Sequence, residues 1–382
     1  MKKFLDCISV VGTTPSIFQG TKKYVSTGAV ATTEIDESEV VEVTYEDRPS
    51  RANLSAEAGD ILFAKMQGTR KTLLLDSETE ENIYSTGFYA VRANPEVITT
   101  ECLYYLVDSE LFLTQKDKHC SGATQKAITN GGLAKIEICV PPLSEQGVLT
   151  EKLRNLTQLI ADKRKQLELF NEVIKSRFIE MFGEPESNPL HWAMLPLEKC
   201  LTVLGGYAFK SEEFKTSGVP VLRIGNINTG VFTPTNMVYW AEDASLERYQ
   251  VLPGDLVISL TGTVGKDDYG NVCILGNTYP LYYLNQRNAK LILGESLNKH
   301  YLSELLKFSQ IKKKLTGISR GVRQANISNR DILNLVVPIP PIELQTQFAT
   351  FVGQTDKSKF EIQKSLEKLE TLKKALMQKY FG

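Results

Sequence analysis

The chain is short of the residues that build reaction centres. Its three histidines, His119, His191 and His300, stand far apart in 382 residues. His119 beside Cys120 offers two metal ligands, and nothing near them completes a set. The six cysteines are scattered without a Cys-x-x-Cys pair, which reads as free thiols in a reducing compartment. No Gly-x-Gly-x-x-Gly fingerprint, His-Glu-x-x-His or Gly-x-Ser-x-Gly occurs. Thr261-Gly262-Thr263-Val264-Gly265-Lys266-Asp267 looks like a phosphate loop, but it lacks the first glycine and the Ser or Thr after the lysine. No acidic cluster is spaced to hold Mg²⁺. Neither Asn-Pro-Pro-Tyr nor Asp-Pro-Pro-Tyr, the mark of enzymes that methylate exocyclic base amines, is present. Together these absences point to a binder without a catalytic site of its own.

Two further absences bound the class. There is no excess of charge, with 44 Lys and Arg against 45 Asp and Glu. The average field therefore does not draw nucleic acid, although local basic patches still can. There is also no run of 18 apolar residues, and Met1-Lys2-Lys3-Phe4-Leu5 leads into no long apolar stretch. Neither a membrane span nor a signal peptide is expected, and a cytoplasmic location is. A hydrophobic content of 42% and a charged content of 23% suit a folded protein of two or three domains.

What the chain does have is itself, twice. Ser121-Gly122-Ala123-Thr124-Gln125-Lys126-Ala127-Ile128-Thr129 returns 199 residues later as Arg320-Gly321-Val322-Arg323-Gln324-Ala325-Asn326-Ile327-Ser328. Pro141-Pro142-Leu143 returns as Pro340-Pro341-Ile342, and Met181-Phe182-Gly183 as Tyr380-Phe381-Gly382, at the same offset. Ala58-Gly59-Asp60-Ile61-Leu62 returns as Pro253-Gly254-Asp255-Leu256-Val257, at 195. A duplication of this length implies one structural unit built twice about a pseudo-twofold axis. Such a binder suits the twofold-related halves of DNA.

Each half divides into a mixed globular part and a helical tail: 1–142 and 143–183, then 184–341 and 342–382. In the first half Asp60–Ala64, Leu73–Leu75, Phe88–Val91 and Ile136–Val140 read as strands, and Glu101–Leu113 as one helix. In the second half Val219–Ile224, Asp255–Leu260, Val272–Leu275 and Leu335–Ile339 read as strands, and Leu297–Leu315 as one helix. The expected class is α+β, two tandem domains separated by two long helices that form an antiparallel coiled coil. The seam of the first tail steps by four and three through Leu149, Leu153, Leu156, Ile160, Leu167, Phe170 and Ile174, broken by Lys163 and Arg177. The second runs through Phe348, Val352, Ile362, Leu366, Leu369 and Leu376, and Gly353 is expected to fray its first turn. A rigid spacer is the favoured use, local packing the plainer one. Lysines on the outer faces either dock a partner or are simply solvated.

At this point the chain resembles the specificity subunit of type I restriction-modification systems. The likeness rests on Gly12-Thr13-Thr14-Pro15-Ser16, the two Gly-Asp strand starts, and the Gly-x-x-Gln-x-x-Ile segments at Gly122–Ile128 and Gly321–Ile327. Pro141-Pro142-Leu143-Ser144-Glu145-Gln146 and Pro340-Pro341-Ile342-Glu343-Leu344-Gln345 complete it. It covers essentially the whole chain, although the opening of the first half is compressed. The resemblance implies a bipartite double-stranded DNA target, one domain per half-site, and two methyltransferase subunits. Restriction and motor subunits join in the full complex. S-adenosylmethionine, ATP and Mg²⁺ then belong to the partner subunits, and no cofactor, metal or membrane to this chain. Two other readings remain: a specificity subunit for a fused nuclease-methyltransferase, and a non-DNA protein-interaction scaffold.

Base reading and phosphate positioning favour Arg, Lys, Asn, Gln, Ser and Thr on loops. In the first half the loop after Ile61–Phe63 offers Lys65, Gln67, Thr69, Arg70 and Lys71. The second half offers Ser259, Thr261, Thr263 and Lys266, the group Lys210, Arg223, Asn226 and Asn228, and the pair Gln286 and Arg287. The repeated glycine–glutamine segments add Thr124, Gln125 and Lys126, with Arg320, Arg323 and Gln324. These either touch the DNA backbone or brace a loop against the coil.

Overall fold

The computed structural model describes residues 1–317 and 324–382. Its helices in chain order are α1 (Thr100–Val107), α2 (Glu110–Lys118), α3 (Asn130–Leu133) and α4 (Leu143–Phe182). There follow α5 (Lys299–Lys307), α6 (Ser309–Thr316), α7 (Asn329–Leu333) and α8 (Ile342–Phe381). The chain divides into two compact units. The first combines Met1–Lys165 with Gln363–Gly382, and the second is Gln166–Ile362. Each unit thus holds a globular part and a stretch of both long helices.

In the first unit an antiparallel sheet runs in the order Ile8–Val11, Phe88–Ala93, Ile61–Ala64, Thr72–Leu74. A second sheet runs Val41–Val43, Lys22–Val25, Ile83–Ser85, Ala52–Leu54, with its central pair parallel. The second unit repeats both orders. Its antiparallel sheet is Leu201–Gly205, Asn288–Leu293, Leu256–Ser259, Val272–Ile274. Its mixed sheet is Val238–Trp240, Val219–Leu222, Tyr282–Leu284, Gln250–Val251, again parallel at the centre. The duplication read from a few motifs therefore extends to the strand order.

Both Gly-Asp starts work alike. Gly59 and Gly254 each take φ +86°, a left-handed backbone that glycine adopts without strain. The carboxylate that follows turns back on its own loop. Asp60 accepts from the Glu57 amide at 2.9 Å and Asp255 from the Leu252 amide at 2.7 Å. Each acid also holds a cation on the neighbouring strand, Arg92 for Asp60 and Lys290 for Asp255.

The two globular helices expected at 101–113 and 297–315 are both pairs. Ser109 interrupts the first, capping α2 by accepting from the Phe112 amide at 3.3 Å. Phe308 interrupts the second with ψ 128°, which places its buried ring against Phe178 at 5.0 Å.

The long helices run antiparallel within each unit. In the first, Leu149 and Leu153 share a core cluster with Met377 and Phe381, and Arg164 pairs with Glu370 at 2.7 Å. In the second, Phe178 meets Phe348 edge-on at 5.5 Å, and Lys359 donates to Asn171 at 2.9 Å. The seam positions Leu149, Leu153, Leu156, Ile160, Ile174, Phe348, Val352 and Leu366 are buried, and Leu167, Phe170, Ile362, Leu369 and Leu376 half-buried. Phe178, Phe182, Met377 and Phe381 are buried as well, packed into the globular cores. Burying each of these is worth about 2–3 kcal/mol. Gly353 does not break the helix, which is continuous from Ile342 to Phe381.

The Pro-Pro motifs anchor these helices. Gln146 is fully buried; its carbonyl accepts from the Thr99 amide at 2.7 Å, and its amide donates to the carbonyls of Val97 and Pro141. Gln345 does the same with the Asn298 amide at 2.8 Å and the carbonyls of Ser296 and Pro340. Every partner is displaced by 199 residues. One glutamine per unit thus ties the first turn of a long helix to the start of α1 or α5.

Candidate nucleic-acid interface

Three loops meet at one edge of each unit, and backbone hydrogen bonds join them. In the first unit the Lys65 amide donates to the Gly87 carbonyl at 2.8 Å, and the Lys65 carbonyl accepts from the Ile128 amide at 2.9 Å. In the second, Leu260 stands in the same place. Its amide donates to Arg287 at 2.8 Å and its carbonyl accepts from Ile327 at 2.8 Å. The glycine–glutamine segment therefore pairs with the loop that follows the Gly-Asp strand. Met66 bridges Ala127, and Thr261–Thr263 pairs with Gln324–Asn326. Gly122 (φ +138°) closes the turn, since a Cβ there would meet the Gln125 carbonyl. Thr124, Gln125 and Lys126 are left exposed at this edge beside Gln67.

A buried lysine braces each edge from behind. Lys116 on α2 donates to the carbonyls of Ala64, Met66 and Thr69 at 3.3, 3.0 and 2.7 Å. Burial pushes its pKa down, and Asp117 beside it opposes that. Asp117 accepts from the amide of Gly68 at 3.0 Å and, through its carbonyl, from the Gln67 side chain at 3.2 Å. In the second unit Lys312 on α6 binds Asn271 and Asp267. Neither lysine stood out in the sequence. The signal was there: Lys116 follows Phe112 by four residues and Lys312 precedes Leu315 by three, so each lies on a buried helix face.

Several of the expected contact residues have partners within the chain. Arg70 is held in a two-pronged pair with Asp108, both bonds 2.9 Å, and donates to the Asp108 carbonyl as well; the pair raises its pKa. Lys71 donates to the carbonyl of Thr27. Lys65 donates to Thr86 at 2.9 Å and lies over the Tyr89 ring at 4.5 Å. The basic loop thus spends its cations on its own unit, with Thr69 half-buried and its carbonyl taken by Lys116. Asn226 is buried, accepting from the Arg223 amide and donating to Thr233 and Thr235. Arg223 donates to Asn236 at 2.6 Å, and the Asn228 carbonyl accepts from Asn271. Ser259 is fully buried against Asn271, and Thr261 is buried with its hydroxyl on Asn326. Lys210 is exposed and pairs with Glu213 at 3.4 Å.

Among the described residues, Thr263, Lys266, Gln286 and Arg287 remain facing outward at the second edge. Thr263 is fixed by Asp268, whose carboxylate accepts from both its amide and its hydroxyl; the amide bond is the chief cause of the acid's lowered pKa. Arg320 and Arg323 lie outside the described residues, and the Gln324 backbone pairs with Thr263. Among the described residues no group of three or more His, Cys, Asp or Glu side chains is placed to hold a metal ion.

A family model described as the type I restriction modification DNA specificity domain matches twice, over residues 13–169 and 189–374. The chain belongs to the type I restriction-modification specificity subunit family. Members of that family are the non-catalytic, DNA-specificity component of their systems. The chain is 28% identical over 260 residues to the MjaVIII specificity subunit of Methanocaldococcus jannaschii, covering 63% of this chain and 60% of that protein. To the EcoKI specificity subunit of Escherichia coli K12 it is 23% identical over 350 residues, covering 84% and 74%. Among solved structures, the S subunit from M. genitalium shares the fold with a TM-score of 0.56, at 14% identity, covering 100% of this chain and 95% of that one. A chain from a study of type I complex assembly gives 0.53 at 22% identity, covering 99% and 96%. No helix of the described residues is long and apolar enough to cross a membrane.

Proposed function

We propose that this specificity subunit reads a bipartite double-stranded DNA target, one half-site per unit, through the three-loop edge. The observation that carries this is the repetition of that edge. Backbone bonds hold the same three loops together in both units, while the exposed side chains differ: Gln67, Thr124, Gln125 and Lys126 in one, Thr263, Lys266, Gln286 and Arg287 in the other. A constant frame with variable amide, hydroxyl and basic tips suits two different short sequences. The guanidinium of Arg287 suits the O6 and N7 acceptors of guanine, and the amides of Gln67 and Gln125 suit adenine. Gln67 is held by the backbone before DNA arrives, which lowers the ordering cost of binding.

The antiparallel helices act in this proposal as a ruler that sets the unread spacer, and they dock two methyltransferase subunits. Those partners supply S-adenosylmethionine chemistry, and motor subunits supply ATP-driven cleavage. Near-neutral net charge fits a subunit whose DNA affinity is completed by its partners. Methylation sequencing of the host, with and without this chain, tests the reading. The expected result is a motif in two specified parts with an unspecified gap, absent when the chain is removed. A continuous motif, or one independent of the chain, contradicts it.

A further inference from the structure

The second unit contains a large basic cleft beside the three-loop edge. Its volume is about 1140 Å³. That exceeds the roughly 300–1,000 Å³ of ordinary small-molecule sites, and eight charged side chains stand among its lining residues. Six lysines face two carboxylates, Asp267 and Glu304, and no arginine lines it among the described residues. Lys175 and Lys359 come from the long helices, Lys307, Lys312 and Lys313 from the α5–α6 pair, and Lys266 from the loop after Thr263. Lys307 pairs with Glu304, Lys312 with Asp267, and Lys359 with Asp356. Among the described residues Lys175, Lys266 and Lys313 make no ion pair. Lys175 lies 5.7 Å from the Phe308 ring centre.

The first unit has the corresponding cleft, and there the charge is cancelled. It is smaller, about 440 Å³, with four basic and four acidic side chains. Arg70 is spent on Asp108 and Arg164 on Glu370. The 199-residue offset matches positions directly: Glu370 corresponds to Asn171, Ile160 to Lys359, and Lys374 to Lys175. At these places in the repeat, the second unit has an amide where the first has a carboxylate, and a lysine where the first has an isoleucine.

We infer that the basic cleft of the second unit holds a stretch of the DNA phosphodiester backbone, without regard to sequence, beside the bases read at the neighbouring edge. This rests on the reading of the chain as a DNA-specificity subunit. Lysine binds phosphate as a point charge, and six ammoniums spread over one cleft suit the repeated charges of a phosphodiester backbone. Lys266 makes the cleft continuous with the edge, since it lies three residues after Thr263. The two half-sites are then held unequally, and the second unit carries more of the salt-dependent affinity.

The test uses the chain assembled with its methyltransferase subunits and titrates target duplex across a salt series. The variant is Lys175→Gln and Lys313→Gln together, with Lys374→Gln in the first unit as the control. Removing one lysine–phosphate pairing flattens the slope of log K against log salt by about 0.9. The double variant is expected to have a slope shallower by about two and to keep the methylated sequence, while the control keeps the wild-type slope. An unchanged slope in the double variant overturns the inference. So does an unchanged slope with weakened assembly, which assigns the cleft to an acidic segment of a partner protein. A wild-type complex that binds target and scrambled duplex equally overturns the DNA-specificity reading itself, and the inference with it.

Discussion

The amide of Ile128 donates to the carbonyl of Lys65 at 2.9 Å, and 195–199 residues later the amide of Ile327 donates to Leu260 at 2.8 Å. Lysine and leucine fill the same role because only their backbone is used. This is how a duplicated frame persists while its exposed tips diverge.

The frame depends on two buried glutamines. Gln146→Ala leaves the Thr99 amide and the carbonyls of Val97 and Pro141 without their partner inside the protein. A loss of about 3 kcal/mol is expected from unpaired buried groups. Gln345→Ala should cost about the same in the second unit. Urea unfolding measures both. A change below about 1 kcal/mol in either contradicts the anchoring role.

Lys116 is expected to hold the reading loop in place. Lys116→Met removes three donated bonds and should cost about 2–3 kcal/mol locally. Amide exchange across Met66–Thr69 should quicken, and discrimination at one half-site should fall while the other is kept. Wild-type protection of that loop in the variant contradicts the assignment.

Arg70 and Arg287 should behave oppositely. Arg287→Ala is expected to relax one base position, at about 1–3 kcal/mol of discrimination, with stability unchanged. Arg70→Ala removes the partner of Asp108, but the arginine is 42% exposed, so solvent screening limits the cost to about 1–2 kcal/mol. Its methylated sequence should stay the same. Methylation mapping beside denaturant unfolding separates the two, and an altered motif in Arg70→Ala contradicts the structural role.

His300 predicts an acid-sensitive second unit. Burial, and secondarily Lys299, lowers its pKa below 6.5; Asp356 and Glu304 partly oppose this. The unfolded chain therefore binds the proton more readily than the folded one. His300 stability is fully present above pH 6.5 and is lost as pH falls through the lowered folded pKa. The melting temperature should drop less between about pH 7.5 and 5.5 in His300→Gln than in the wild type. An equal drop in both contradicts it.

The sequence made the periodic features legible. The offsets, the Gly-Asp turns, the Pro-Pro-x-x-x-Gln motifs and the heptad leucines are short patterns whose physics is local. The breaks at Ser109 and Phe308 were missed, although Asp108-Ser109 is an ordinary capping signal. The intramolecular partners of Arg70 and Lys71 were not legible, because a basic loop has one composition whether it faces phosphate or its own acceptors. Asp108, which decides the matter, lies 38 residues away. The burial of Asn226 was hidden for a related reason, since an asparagine suited to base edges is equally suited to capping a turn. Lys116 and Lys312 were invisible as braces because helical lysines are ordinarily solvated.

The most direct test of the account inserts seven residues in register into both α4 and α8 and maps the methylated target. Seven helical residues add about 10 Å, from ~1.5 Å per residue, or roughly three base pairs of B-DNA. The expected result is the same two half-site sequences with the gap lengthened by about three base pairs. An unchanged gap with methylation intact contradicts the ruler, and altered half-sites contradict the assignment of reading to the loop edges.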